Sequence, residues 1–291
     1  MTSLARPTTS WATLLKLGRV SNLPTVWTNT LAGTLVAGGS WQDLRIAILV
    51  VAMSLFYEGG MFLNDYFDRE IDARERPERP IPSFEISPGR VAAIGSGLIA
   101  GGLVLLAILG LRALGVGLLL AALILAYDRH HKGNPFAPVL MGMCRALVYV
   151  VAGMALVGNL SGSLLTAAVA MLAYVAGLSY AAWQERLDRP SNLWPLALLA
   201  VPLLVVVASP LQQGAITIAI YLCLAVTVGW AIYLLMIRPP GGVPRAVGVL
   251  IAAISLVDAA FIASVGATVP ALVAVAGFFA TWGLQRYISG T

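Results

Sequence analysis

Apolar residues run along this chain in long unbroken blocks, without the two-residue alternation of a half-buried strand. Ten blocks stand out, near 22–39, 43–66, 90–111, 113–127, 137–158, 161–183, 193–209, 215–236, 245–265 and 269–287. Most approach the roughly 20 residues that a helix needs to cross a hydrocarbon core of about 30 Å. A helix satisfies its own backbone polar groups, as a bilayer demands, whereas barrel strands would alternate apolar and polar positions. The pattern predicts an all-α, polytopic transmembrane bundle of nine or ten helices, forming a single domain over 1–291. Block 113–127 is short for a span, and the last two blocks leave room for shorter or tilted helices.

Composition points the same way. Of 291 residues, 59% are hydrophobic and only 11% are charged, against roughly 25% charged in a soluble domain. The basic residues fix an orientation. With the N-terminus in the cytoplasm, the inner loops hold Arg6, Lys16, Arg19, Arg69, Arg74, Arg76, Arg79, Arg90, Arg129, Lys132, Arg186, Arg189, Arg238, Arg245 and Arg286. The outer loops hold only Arg45 and Arg112, and Arg145 falls inside a span. This is the positive-inside bias, and it predicts an even number of spans with both ends cytoplasmic. The net charge of +5 is therefore a topology signal and gives no reason to expect nucleic-acid binding. Residues 1–18 lack the apolar core of a cleavable leader and suit a short interfacial helix. Cys144 and Cys223 fall in apolar blocks and read as packed thiols, with no metal or disulfide spacing.

Seven of the 13 acidic residues lie between 65 and 85. In Asn64-Asp65-Tyr66-Phe67-Asp68-Arg69-Glu70-Ile71-Asp72, at the cytoplasmic end of the second block, Asp65, Asp68 and Asp72 stand at i, i+3 and i+7. That spacing puts three carboxylates on one helical face. They repel one another unless a cation intervenes, and oxygen-rich sites that share substrate phosphates suit Mg²⁺. The plainer reading is a solvated loop whose acids are offset by nearby arginines.

The following Arg76-Pro77-Glu78-Arg79-Pro80-Ile81-Pro82-Ser83 must leave the helix. It reads either as a lid whose arginines meet phosphate oxygens or as an ordinary linker. A second inner loop, Tyr127 to Pro135, offers Lys132 and two adjacent histidines that cannot face one metal together. A third contains Gln184, Glu185, Arg186, Asp188 and Arg189. There the i, i+3, i+7 spacing ending at Asp188 is acidic only at its last position, with Glu185 able to supply a carboxylate. Inside spans lie Glu58, Arg145 and Asp258, costly groups that normally face the protein interior. Glu58 precedes Asp65 by two turns and is expected near the same face, with Arg145 pairing with it or reaching a diphosphate. Asp258 reads equally as structural or as a polar contact to substrate.

Asn64-Asp65-x-x-Asp68-x-x-x-Asp72 followed by Arg79-Pro80-Ile81-Pro82-Ser83 resembles the first aspartate-rich motif of UbiA-type membrane prenyltransferases. Arg19 and Asn22 are similar to that family's opening Arg and Asn. Tyr127, Lys132, Gly133 and Asn134 are similar to its tyrosine-and-basic loop. The resemblance implies helices around a central cavity open to the cytoplasm and to lipid. It implies Mg²⁺ and the diphosphate held by Asn64, Asp65, Asp68 and Asp72, with Asp188 as the metal ligand of the second motif and Arg19, Asn22, Arg79, Tyr127 and Lys132 contacting substrate; the residues themselves add Arg145, Glu185, Arg186 and Arg189 as substrate contacts. The implied activity moves a prenyl group from an isoprenoid diphosphate to an aromatic or other lipophilic acceptor, without an obligatory protein partner, in a bacterial inner membrane. The sequence departs from the family at the third loop, which is poor in aspartate, and in its tenth block. An isoprenoid-binding homologue without chemistry and a transporter are the alternatives.

Overall fold

The computed structural model describes residues 10–183, 192, 194–208, 214–288 and 290. A short helix, α1 (Trp11–Leu17), is capped by Ser10, whose hydroxyl accepts from the Thr13 amide at 3.1 Å. Trp11 is almost fully exposed, as suits a helix lying at a membrane surface. A 3₁₀ turn, Val20–Asn22, leads into α2 (Leu23–Val36). There follow α3 (Arg45–Glu75), α4 (Pro88–Leu109), α5 (Leu111–His130), α6 (Ala137–Leu156) and α7 (Gly162–Trp183). A 3₁₀ stretch, Trp194–Ala200, runs into α8 (Val201–Ala208), and the chain ends with α9 (Ala215–Ile237), α10 (Gly242–Ser264) and α11 (Thr268–Leu284). Among the described residues there is no strand.

Seven of these helices, α3 to α7 with α9 and α10, are long and apolar enough to cross a membrane. The protein is a multi-pass integral membrane protein. The other three apolar blocks form shorter helical segments: α2, Trp194–Val207 and α11. At 1.5 Å per residue, the 14 residues of α2 rise only about 21 Å. Block 22–39 overstated it because Gly38, at φ 93°, ends the helix although its surroundings stay apolar. Block 113–127 was understated, since α5 spans 20 residues. Block 43–66 stopped early too: α3 continues through all three aspartates to Glu75, because charged residues are adequate helix formers.

Two apolar clusters flank a central cavity. One gathers α3 to α6, and the other gathers α7, α9 and α10. Helix α10 is buried along nearly all of its length, as a helix apolar all round should be. Gly33 lets α2 meet α6 backbone to backbone, where a Cβ would stand 2.7 Å from the Tyr149 Cα. This approach brings the polar side chains of α2 against those of α6. Cys144 is partly buried and lines the cavity, while Cys223 is exposed on α9. Cys223 thus departs from the expected packed thiol, because its helix turns that face outward toward lipid.

Candidate active site

One mouth of the cavity is built by the C-terminal end of α3, the turn after it, the end of α5 and the segment joining α1 to α2. Asp65, Asp68 and Asp72 are all buried on the inner face of α3, as the spacing predicted. Each meets a cation. Arg19 Nη2 lies 3.2 Å from Asp65. Arg79 Nη1 bridges Asp65 at 3.4 Å and Asp72 at 2.8 Å. Lys132 Nζ and His131 Nε2 reach Asp68 at 3.2 and 3.3 Å. Three carboxylates therefore stand against three permanent cations in a partly dehydrated pocket, where each pairing is stronger than on an open surface.

Local backbone explains how these partners arrive. Arg19 adopts a left-handed conformation, φ 45°, which non-glycine residues take at a cost and which tends to persist at functional sites. Here it directs the guanidinium toward Met61 Sδ and Asp65. After α3 the prolines end the helix, and the turn folds back so that Arg79 covers the aspartates. Thr13 ties this turn to α1 by donating to Glu85 at 2.8 Å. The segment lies over the helix end, where Arg79 meets carboxylates.

The remaining expected residues divide in three. Arg19, Asn22, Tyr127 and Arg145 line the cavity. Asn64 is buried beneath the mouth and donates to Asp128 at 3.3 Å. Glu185, Arg186, Asp188 and Arg189 lie outside the described residues. Arg145 does not pair with Glu58: it bonds Asn29 and Thr25. Glu58 is half-buried and is not among the residues lining the cavity. One residue is 100° of helix turn, so Glu58 falls at the edge of the face that Tyr57 and Met61 present.

Sequence reasoning missed Asp128. It lines the cavity beside Tyr127, and its Oδ2 is buried without a hydrogen-bond partner. Its position next to Tyr127 and before a cluster of basic residues was the available signal. His131, set aside as half of a weak metal pair, is at the site, stacked on Tyr127 with ring centroids 5.0 Å apart. His130 points elsewhere, to the Ala126 carbonyl. Below the mouth the walls turn apolar, with Met53, Phe56, Leu120, Val148 and Ile254 among them. The empty space, open entrance included, is about 940 Å³.

Buried acids cross-bridged by cations thus stand at one end of a helix-walled cavity whose deeper walls are apolar. The sequence profile described as "UbiA prenyltransferase family" matches residues 26–264. The chain belongs to that family. It is 37% identical over 185 residues to a digeranylgeranylglyceryl phosphate synthase of Methanothrix thermoacetophila, covering 62% of this chain and 67% of that one. It is 32% identical over 164 residues to a protein of the same name from Natronomonas pharaonis, covering 56% and 59%. The fold is shared with a UbiA homologue from Aeropyrum pernix (TM-score 0.68, 19% identity, 84% of this chain and 97% of the other). It is shared also with one from Archaeoglobus fulgidus bound to GPP and Mg²⁺ (TM-score 0.61, 14% identity, 88% and 99%). The protein is thus a membrane prenyltransferase by family.

Proposed function

We propose that the protein is a Mg²⁺-dependent enzyme acting as one unit over 1–291. It binds an allylic isoprenoid diphosphate with the diphosphate at the mouth and the prenyl chain in the cavity. The observation that carries this reading is the mouth itself: Asp65, Asp68 and Asp72, buried and balanced by Arg19, Arg79 and Lys132, above an apolar hollow.

The side chains present fit the metal. Carboxylates and the Asn64 amide are hard oxygen donors, and a buried carboxylate oxygen at Asp128 stands without a partner. No three acids, histidines or cysteines among the described residues form a ready-made cage. Substrate phosphates would therefore have to complete the shell of a Mg²⁺ ion here, as they commonly do. Asn64, Asp65, Asp68 and Asp72 would hold it, with Asp188 as a further ligand on the strength of the family resemblance alone, and its chemistry would be to neutralise charge on the departing diphosphate. Arg19, Arg79 and Lys132 then turn from carboxylates to phosphate oxygens, and Arg186 and Arg189 are further phosphate partners. Asn22, Tyr127, Arg145 and Glu185 shape the substrate positions below.

In the transfer, the bond from the prenyl C1 to the diphosphate oxygen breaks and its electron pair leaves with the diphosphate. The acceptor's nucleophilic atom bonds to C1, and its proton passes to water or a carboxylate. The apolar walls keep water from competing for the carbocation. The names of the relatives favour an acceptor hydroxyl on a prenylated glyceryl phosphate, giving an ether, over an aromatic ring. Those relatives are archaeal, so we place the protein in a cell membrane with its termini and mouth cytoplasmic, without a bacterial assignment. The acids crowd one end of the bundle, whereas a transporter would keep its binding groups near the midplane.

Incubating the purified protein with labelled geranylgeranyl diphosphate and geranylgeranylglyceryl phosphate, with and without Mg²⁺, tests the assignment. Product should form only with metal. Asp65→Ala or Asp68→Ala should abolish it while the protein remains folded. Glu185→Ala with Asp188→Ala should cut it sharply. Wild-type rates in either single aspartate variant would overturn the reading.

A further inference from the structure

Below the mouth lies a second polar assembly that the transfer step as described does not use. Its base is Asp258, wholly buried in the middle of α10. The carboxylate accepts from Thr28 Oγ1 at 2.6 Å, from Asn29 Nδ2 at 2.8 Å to each oxygen, and from the Tyr149 hydroxyl. The Asn29 amide oxygen in turn accepts from Arg145 Nη1 at 2.8 Å. Asn29 therefore sits between a carboxylate, which only accepts when ionised, and a guanidinium, which only donates. One orientation of its amide satisfies both. Thr25 completes the clamp: its hydroxyl donates to the Asn22 carbonyl at 2.7 Å, leaving a lone pair for Arg145 Nη2 at 3.0 Å. The guanidinium also lies over the Tyr57 ring, 5.4 Å from its centroid.

This arrangement fixes Arg145 in the cavity wall without neutralising it directly. Among the described residues no carboxylate reaches it as an ion pair, since Asp258 is separated from it by the Asn29 side chain. Two nitrogens serve the clamp, and the other donors of the five that a guanidinium carries remain for a ligand. A cation held in apolar surroundings without a direct counterion is unfavourable, and an anionic ligand would relieve that cost. The position separates it from the diphosphate site: Tyr57 precedes Asp65 by eight residues, about 12 Å along α3. Tyr57 and Arg145 line the cavity together with Arg19, which pairs with Asp65.

We infer that Arg145 is the docking point for an anionic head group on the acceptor, with Asn29 and Asp258 as positioning residues that act through it. The inference rests on the acceptor reading proposed above and extends it to a substrate class: acceptors carrying a phosphate or carboxylate within a few bonds of the nucleophile. Arg145 sets acceptor specificity, and the mouth holds the leaving diphosphate.

The test varies the two substrates separately on purified full-length protein in lipid nanodiscs. The probes are geranylgeranyl diphosphate as donor, with geranylgeranylglyceryl phosphate and its phosphate-free alcohol as acceptors. The wild type should show an acceptor KM at least tenfold higher for the neutral alcohol. Arg145→Gln should raise KM for the phosphate acceptor tenfold or more, leave KM for the diphosphate within twofold, and erase the preference between the two acceptors. Arg145→Lys should recover part of that preference. Asp258→Asn should shift the phosphate acceptor's KM in the same direction but less. A purely structural role would move both substrates' constants together. Equal use of the two acceptors by the wild type, a comparison that needs no variant to fold, would overturn the inference. If the wild type transfers to neither acceptor, the proposed function fails on its own. The inference is then read from thermal stabilisation by geranylgeranylglyceryl phosphate, expected in the wild type and absent in Arg145→Gln, and equal stabilisation of both would refute it.

Discussion

Replacing Arg79 with alanine should move metal affinity and diphosphate affinity in opposite directions. Among the described ion pairs of the mouth, Asp65, Asp68 and Asp72 carry three negative charges against Arg19, Arg79 and Lys132, a balance of zero. Losing Arg79 leaves it at −1. Its Nη1 sits 2.8 Å from Asp72 and 3.4 Å from Asp65, so a cation bound to those oxygens would lie on the order of 5 Å from the lost charge, given Mg²⁺–oxygen distances of about 2 Å. At 5 Å a unit charge interacts by about 0.8 kcal/mol in water and about 3 kcal/mol at an effective dielectric of 20. Doubling for a divalent ion gives a range of about 1.7 to 6.6 kcal/mol. The Arg79 side chain retains 17% exposure beside buried aspartates, so the low end is the minimum effect. At that minimum, roughly ten- to thirty-fold tighter metal binding follows. The diphosphate loses charge-assisted hydrogen bonds and should bind roughly tenfold more weakly. Mn²⁺ titration followed by electron paramagnetic resonance, and separate titration of a non-hydrolysable prenyl thiodiphosphate, read the two effects. If folded Arg79→Ala protein binds Mn²⁺ no better than wild type, the aspartates are not the metal's seat.

Two further substitutions probe the interior. Tyr149→Phe removes one donor to Asp258 but leaves Thr28 and Asn29 in place. It should lower stability by about 1 kcal/mol, within the ~0.6 average and ~1.7 maximum for hydrogen bonds between membrane helices. Thermal unfolding in detergent would show this, and a loss several times larger would mean that the hydroxyl organises the whole network. Gly33→Leu forces atoms against the Tyr149 backbone, which cannot rotate away. Overpacking of this kind costs about 1–3 kcal/mol. It should also spread α2 from α6 and weaken the Asn29–Arg145 bond, so acceptor KM should rise along with the fall in melting temperature.

How much of this was legible follows from which physics each feature obeys. Spanning helices were readable because a bilayer forces apolar residues into runs, and no tertiary contact is needed to see them. Their ends were not, because the end of hydrophobicity and the end of a helix are different events: α3 runs past Tyr66 on charged residues, and α2 stops at Gly38 within an apolar stretch. The aspartate face was legible because i, i+3, i+7 is local geometry. Asp128 was not, because an acid beside Arg129 and Lys132 looks like a solvated loop until α5 is seen to carry it inward. The partners of Asp258 come from α2 and α6, more than a hundred residues away in sequence, and nothing periodic announces them. The same distance explains the Glu58 misreading, since its supposed partner Arg145 had better-placed acceptors on α2.

The two polar layers in this bundle are built differently, and the difference matches what each must do. At the mouth, every cation comes from a segment outside the regular helices or at their ends: Arg19 from a strained junction, Arg79 from a proline-rich turn, Lys132 from the loop after α5. These charged groups hang from turns rather than from helix interiors, so each could exchange one anion for another without parting packed helices. The inner layer draws Thr25, Asn29, Arg145, Tyr149 and Asp258 from the interiors of α2, α6 and α10, with Gly33 holding two of those helices at backbone contact. Rearranging it would require separating packed helices, so it holds one side chain at one place. A leaving group that changes partners needs the first kind of site. An acceptor that must be held still against a short-lived carbocation needs the second.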